Sequence, residues 1–219
     1  MTSPTTPPTA PPTGDERPGR TLVLVRHGRT AWNADGRAQG QTDVDLDELG
    51  HEQAARMAPV VAALGPSVLW CSDLARARDT ASYVAKELGV EPTVDRRLRE
   101  FHLGEREGVR RADWVARWPD ERARFEDGDY DVVPGGERRA EVASRMGEVC
   151  RAVLDAVGPG ETAAAVSHGG AIRTAVASLL GWDTPGASSL RGLDNCGWTR
   201  LAERTYGGPL RLVSWNEQA

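Results

Sequence analysis

The chain carries the same construction twice, and that repetition restricts its fold more than any other feature. Near the start, the apolar run Thr21-Leu22-Val23-Leu24-Val25 breaks into Arg26-His27-Gly28. Far downstream, Thr162 to Val166 run into Ser167-His168-Gly169-Gly170, and a helical pattern follows. A short apolar run rich in β-branched side chains reads as a strand buried on both faces. The break after it puts a histidine at the strand's C-terminal end, the edge of an open α/β sheet where ligands bind.

The stretches between alternate in the same sense. Leu49 to Leu64 has helical spacing in Ala54, Met57, Val60, Val61 and Leu64 and closes on Gly65-Pro66. Ser67 to Cys71 predicts a strand, Asp73 to Leu88 a helix stopped by Gly89, and Val90 to Val94 a short strand. Glu137 to Val157 predicts a long helix and Gly170 to Leu180 another, with Trp198 to Leu201 and Leu210 to Trp215 forming a hairpin. Thr30 to Leu46 reads as a polar loop. Strand–helix alternation of this kind predicts an α/β fold: a three-layer sandwich with a mostly parallel central sheet and helices on both faces. Residues from about 101 to 134 are charged, Trp-containing and poor in aliphatics, and predict a small helical insertion over the active-site edge. The domain is expected to run from 21 to 219, after a disordered Pro/Thr-rich tail over 1–20 that lacks the apolar core of a secretory signal.

Charge and cysteine usage limit the partners. A net charge of -5 argues against a nucleic-acid backbone as ligand, so any phosphate site must be a local basic pocket. No run approaches the ~20 apolar residues of a membrane span. Cys71, Cys150 and Cys196 are widely spaced and lack C-x-x-C pairing, which suits free thiols in a reducing cytoplasm. No metal-ligand spacing stands out, so neither a metal nor another cofactor is expected.

Two strand-end histidines, each beside a glycine and near an arginine, suit chemistry on a phosphate. Neutral imidazole is a nucleophile toward phosphorus at physiological pH. The transferred group spreads negative charge over its equatorial oxygens, which planar guanidinium forks meet bidentately. The leaving alkoxide needs a proton from a carboxylic acid. The chain supplies a candidate for each role: His27 as nucleophile, Arg26 and Arg76 as phosphate clamps, His168 as a second phosphate donor and Glu100 as the acid. Glu107 and Asp73 are the fallback carboxylates. Arg78 competes with Arg76, but residues two apart on a helix face different ways. Ser72 and Ser167 lack an evident base, and His51 and His102 are assigned no role. Trp114 and Trp118, four apart, suit either insertion core or a pocket wall.

These segments resemble the histidine phosphatase superfamily, the phosphoglycerate-mutase-like proteins. That family's R-H-G-x-T-x-x-N pattern matches Arg26 to Asn33, S-D-L-x-R-A-x-x-T-A matches Ser72 to Ala81, L-x-E-x-x-x-G-x-x-E-G matches Leu98 to Gly108, and S-H-G-G-x-I-R matches Ser167 to Arg173. The resemblance implies a phosphohistidine at His27, proton donation by Glu100, and a phosphate pocket of Arg26, Arg76 and His168. It further implies that Thr30, Asn33, Gln39 and Gly40 contact substrate. Within the superfamily, Arg37 to Asp43, Leu98 to Gly104, Pro134 to Glu137 and the late Trp198-Thr199-Arg200-Leu201 and Val213-Ser214-Trp215-Asn216 resemble the actinobacterial glucosyl-3-phosphoglycerate phosphatases. Arg106, Asp45 and Arg138 depart from the common pattern, and bear on the leaving group rather than the chemistry. The function expected is metal-independent phosphomonoester hydrolysis on a small phosphorylated metabolite, by a monomer or homodimer. Its rivals are a phosphoglycerate mutase, kept in view by Arg110 and Arg111, and a binding protein that only holds phosphorylated ligands.

Overall fold

A computed structural model describes residues 16–126, 129–183, 186 and 189–219. Residues 1–15 of the expected tail lie outside the described residues. Glu16 to Arg20 do not extend that tail, because Pro18 bridges Thr205 and Arg20 is buried in a bidentate pair with Glu203 (2.7 and 3.0 Å). Packing contacts therefore reach back at least to Pro18.

Among the described residues six strands form one sheet: β1 (Thr21–Arg26), β2 (Pro66–Cys71), β3 (Thr93–Val94), β4 (Thr162–Ser167), β5 (Trp198–Glu203) and β6 (Leu210–Glu217). Their order is β3-β2-β4-β1-β5-β6. The β3, β2, β4 and β1 strands run parallel, and β5 and β6 add an antiparallel margin. The helices are α1 (Ala31–Ala34), α2 (Glu48–Ala62), α3 (Ala75–Leu88), α4 (Arg111–Arg117), α5 (Pro119–Glu126), α6 (Arg139–Asp155) and α7 (Gly169–Leu179).

The two faces of β1 explain the layers. Leu22 and Leu24 enter one core with Val142, Met146, Val149 and Ile172 of α6 and α7. Val23 and Val25 enter a second core with Met57 and Val61 of α2 and Ala77 and Val84 of α3. Each Val, Leu, Ile or Met among them contributes about 1.5–3 kcal/mol by leaving water. The central strand β4 is built largely of alanines, with Ala163 and Ala165 facing the first core and Ala164 the second. The shared register then brings the functional ends level: Arg26 lies opposite Ser167, and Cys71 opposite Val166.

Local departures from expectation have local causes. The strand predicted over Val90 to Val94 shortens to Thr93–Val94, because Pro92 has no N–H to give a ladder. The loop predicted after β1 contains one helical turn, α1, closed by a reciprocal Thr30–Asn33 cap. Over the sheet edge the insertion folds as the short helices α4 and α5 flanked by 3₁₀ turns. No helix among the described residues is long and apolar enough to cross a membrane.

Candidate active site

At the C-terminal ends of β1 and β4, a cavity of about 230 Å³ brings together Arg26, His27, Asn33, Gln39, Gly40, Arg76 and Glu100. His168 lies against it, its ring centroid 5.2 Å from that of His27. Thr30 does not line it. That residue is fully buried and its hydroxyl accepts the Asn33 N–H at 3.2 Å, so the side chain expected to touch substrate instead caps α1.

Glycine makes the His27 turn possible. A Cβ on Gly28 would sit 2.6 Å from the Gly50 carbonyl oxygen, and one on Gly50 would collide with the Arg29 carbonyl. The first turn of α2 thus packs backbone to backbone on the strand end. The Gly28 N–H donates to Thr80 Oγ1 (2.9 Å), whose own hydroxyl donates to the Arg76 carbonyl (2.7 Å). Thr80 therefore couples the His27 turn to α3.

His27 Nδ1 lies 2.7 Å from the Gly28 carbonyl oxygen. A carbonyl only accepts, so Nδ1 carries the proton and Nε2 keeps its lone pair. Burial, then the cations Arg76 and Arg26, hold the His27 pKa well below its usual 6.5. Burial and Arg76 do the same for His168. Both rings are neutral near pH 7.

Arg76, in the first turn of α3, is fully buried and donates to the carbonyls of Thr42 and Gly40 at 2.8 Å each. Gly40 has φ +55°, and a Cβ there would strike the Glu107 carboxylate. Glu107 accepts from the Gln41 and Leu103 N–H groups and from the Thr42 hydroxyl (2.9, 3.0 and 2.6 Å). It supports the loop that presents Gly40 to Arg76 and does not face the cavity. Burial draws the Arg76 pKa down to about 10, which leaves it a cation at neutral pH. Arg26 donates to the Leu193 carbonyl and lies over Gly169, where a Cβ would sit 3.4 Å from its Nε. Arg78 is exposed beside Ser82 and Lys86, lining a separate hollow of about 610 Å³ by β3.

The Glu100 carboxylate meets the N-terminus of α7, accepting from Gly170 (2.9 Å), Ala171 (2.8 Å) and Phe101 (3.0 Å). Asp73 is held by a bidentate pair with Arg99, both contacts at 2.7 Å. That hydrogen bonding lowers its pKa, and Asp73 is a structural anion here. His51 contacts Tyr83 and His102 contacts the Gly135 carbonyl, both outside the cavity. Ser167 donates to the Leu98 carbonyl at 2.7 Å, tying β4 to the segment that carries Glu100.

Two supports escaped the sequence reading. Arg145 of α6 donates to the carbonyls of Arg97, Arg99 and Glu100 and pairs with both Glu137 oxygens, at 2.6 to 2.9 Å. Glu137 also accepts from the His102 N–H (2.8 Å). Asn195 donates to the His27 carbonyl (3.1 Å) and to Asn33 Oδ1 (3.2 Å), fixing Asn33 at the cavity rim. Of the unusual residues, Arg106 is buried with its guanidinium 3.6 Å over the Trp118 ring and 2.6 Å from Glu121, holding the insertion together. Trp118 belongs to that insertion core. Nothing in the structure explains Asp45, which is exposed.

The lowered histidines set a pH dependence. The unfolded chain takes up their protons near pH 6.5 while the folded chain does not, so stability falls as pH drops below 6.5. Each histidine should contribute up to about 1.4 kcal/mol per pH unit. The lowered carboxylates Asp73 and Asp95 lose their stabilisation only in the acid range, below about pH 4. Urea midpoints between about pH 6.5 and 5 should therefore fall in the wild type, and fall less steeply in His168→Gln. Equal slopes would contradict the assignment.

Known proteins resemble this chain over most of its length. The sequence model of the histidine phosphatase superfamily (branch 1) matches residues 22–218. A glucosyl-3-phosphoglycerate phosphatase of Mycolicibacterium vanbaalenii is 38% identical over 215 residues, spanning 91% of this chain and 96% of its own. A probable phosphoglycerate mutase of Cronobacter sakazakii is also 38% identical, over 192 residues covering 82% of this chain and 83% of its own. Among solved structures, mycobacterial glucosyl-3-phosphoglycerate phosphatase in complex with VO3 superposes with a TM-score of 0.85 at 36% identity, covering 91% of this chain and all of that one. With the family match running from the second residue of β1 to the end of β6, the chain belongs to the histidine phosphatase superfamily.

Proposed function

We propose that the protein hydrolyses phosphomonoesters of small metabolites through a phosphohistidine on His27. The observation that carries this reading is the Nδ1 contact to Gly28, which leaves a neutral Nε2 beside two guanidinium groups and a second histidine. Nε2 attacks phosphorus in line as the bond to the ester oxygen breaks. Arg26, Arg76 and His168 hold the equatorial oxygens and offset the charge that spreads over them. Glu100 gives its proton to the departing alkoxide. Water then attacks phosphorus, Glu100 takes a proton from it, and the N–P bond breaks to release phosphate and neutral His27. Guanidinium groups supply the positive charge throughout, so the reaction needs no divalent cation. Asn33, Gln39 and Gly40 line the same cavity, which supports the reading that they contact substrate.

The relatives named for glucosyl-3-phosphoglycerate support that ester as substrate. Transfer back to the same molecule, as in a mutase, is less well served, because the described residues of the insertion form no more than the short helices α4 and α5 and 3₁₀ turns. The test is phosphate release, with and without EDTA, from glucosyl-3-phosphoglycerate, 3-phosphoglycerate, nucleoside monophosphates and p-nitrophenyl phosphate. Release undiminished by EDTA and fastest on glucosyl-3-phosphoglycerate is expected. Conversion of 3-phosphoglycerate to its 2-isomer without phosphate release would establish the mutase instead.

A further inference from the structure

The loop between α1 and α2 carries Gln41, a half-buried amide with no part in the chemistry at phosphorus. Its backbone lies in the turn that grips the phosphate clamp. The Thr42 N–H closes that turn on the Gln39 carbonyl (3.1 Å), and the carbonyls of Gly40 and Thr42, on either side of Gln41, accept from Arg76 at 2.8 Å each. The Gln41 N–H donates to Glu107 (2.9 Å), and Asp43 accepts the Ala75 N–H of α3 at 2.8 Å. The loop is therefore pinned to the helix that carries Arg76.

The side chain of Gln41 reaches the segment of the acid instead. Arg99 donates to its Oε1 at 3.2 Å, and a guanidinium only donates, so this contact orients the amide. Nε2 then donates to the Glu100 carbonyl (3.1 Å) and to Glu137 (3.2 Å), which uses both of its N–H bonds. Arg99 is fixed in turn by its bidentate pair with Asp73, and Glu137 by Arg145, which donates to the same Glu100 carbonyl at 2.9 Å. A row of partners (Asp73, Arg99, Gln41, Glu137 and Arg145) thus runs from the residues before α3 to α6, past the Glu100 backbone. The position calls for an amide. A carboxylate could accept from Arg99 but could not donate to the Glu100 carbonyl, and it would face the Glu137 anion.

We propose that Gln41 is a positioning residue that sets the spacing between the Arg76 clamp and the Glu100 acid. The inference rests on the phosphomonoesterase reading, in which Arg76 holds phosphoryl oxygens while Glu100 protonates the leaving oxygen of the same ester. The main chain around Gln41 holds one group and its side chain the backbone of the other, so displacing either strains a Gln41 contact. A misplacement on the order of 1 Å can cost about 10²-fold in rate. Protonation of a poor leaving group is the step most sensitive to that error.

The test is the single-turnover rate of phosphohistidine formation on two esters. One is the alkyl ester the protein hydrolyses fastest, and the other is p-nitrophenyl phosphate, whose leaving group departs without protonation. In Gln41→Met and Gln41→Glu the alkyl rate should fall by about 10–10²-fold and the aryl rate far less, so the alkyl-to-aryl ratio drops by about tenfold or more. Inhibition by inorganic phosphate should keep its constant, because the carbonyls that hold Arg76 remain. Equal losses on both esters, or phosphate inhibition weakened in step with the alkyl rate, would make Gln41 a support of the clamp alone and overturn the proposal. A Gln41→Glu variant with the wild-type ratio overturns it too. If the Gln41 variants fail to fold, Arg99→Met, which removes the donor that orients the amide, is read by the same ratio, and an unchanged ratio there counts against the proposal equally. A wild type that forms no phosphohistidine on either ester overturns the hydrolase reading itself.

Discussion

Replacing His27 by alanine should cut phosphate release by about a millionfold in kcat, the scale of losing a covalent nucleophile. Rapid acid or alkaline quench with ³²P-labelled substrate separates this from a general loss of the site. Wild type should carry a covalent label that survives alkali and is lost in acid, as a phosphoramidate does, and His27→Ala should carry none. Arg26 and Arg76 remain in that variant, so equilibrium dialysis should still detect phosphate binding. A labelled His27→Ala protein would move the nucleophile elsewhere, with His168 next in line at 5.2 Å between ring centroids. The pH behaviour belongs to the same experiment. Burial and the two arginines keep His27 neutral below pH 6.5, so label formation should not fall through the ordinary histidine range.

The second large effect concerns Glu100. Glu100→Gln keeps the size of the side chain and one of the two acceptor oxygens that meet Gly170 and Ala171, yet has no acidic proton to give. Alkyl phosphates should lose about 10²–10⁴-fold in kcat, the range typical of general acid catalysis. The phosphorylation step on p-nitrophenyl phosphate, whose leaving group departs as a stable anion, should suffer far less. Burst kinetics isolate that step. Arg145→Met should reproduce the pattern in weaker form, because Arg145 grips the Glu100 carbonyl at 2.9 Å without facing the cavity. Equal losses on both classes of ester would remove Glu100 as the acid.

Much of the fold was legible because few structures satisfy its patterns. A five-residue apolar run flanked by polar residues leaves little choice but a buried strand, and β1 and β4 appear where those runs lie. Gly89 marked the end of α3 because the backbone there needs φ +69°. Contacts made across long sequence separations were harder to read. Arg145 lies in a charged helix where one arginine looks like any other, and its role follows from carbonyls 45 to 48 residues away. Asn195 meets His27 across 168 residues with no motif around it. Thr30 shows the opposite difficulty: its place in a matched pattern suggested substrate contact, while the nearer Asn33 N–H claims its hydroxyl. A local hydrogen bond three residues away wins over a ligand contact that only assembly of the site could provide.

The placement of β1 also bears on how such a protein can change. The strand that leads into His27 is laddered on both sides, to β4 and to β5, and its four central side chains are fully buried. Its amides can exchange with solvent only when the sheet itself opens, so the backbone that positions His27 shares the stability of the sheet. Phe125 and Arg122 sit on one short outer helix whose loosening would cost the sheet little. Substitutions there can accumulate while the strand ends beside His27 and His168 keep their geometry.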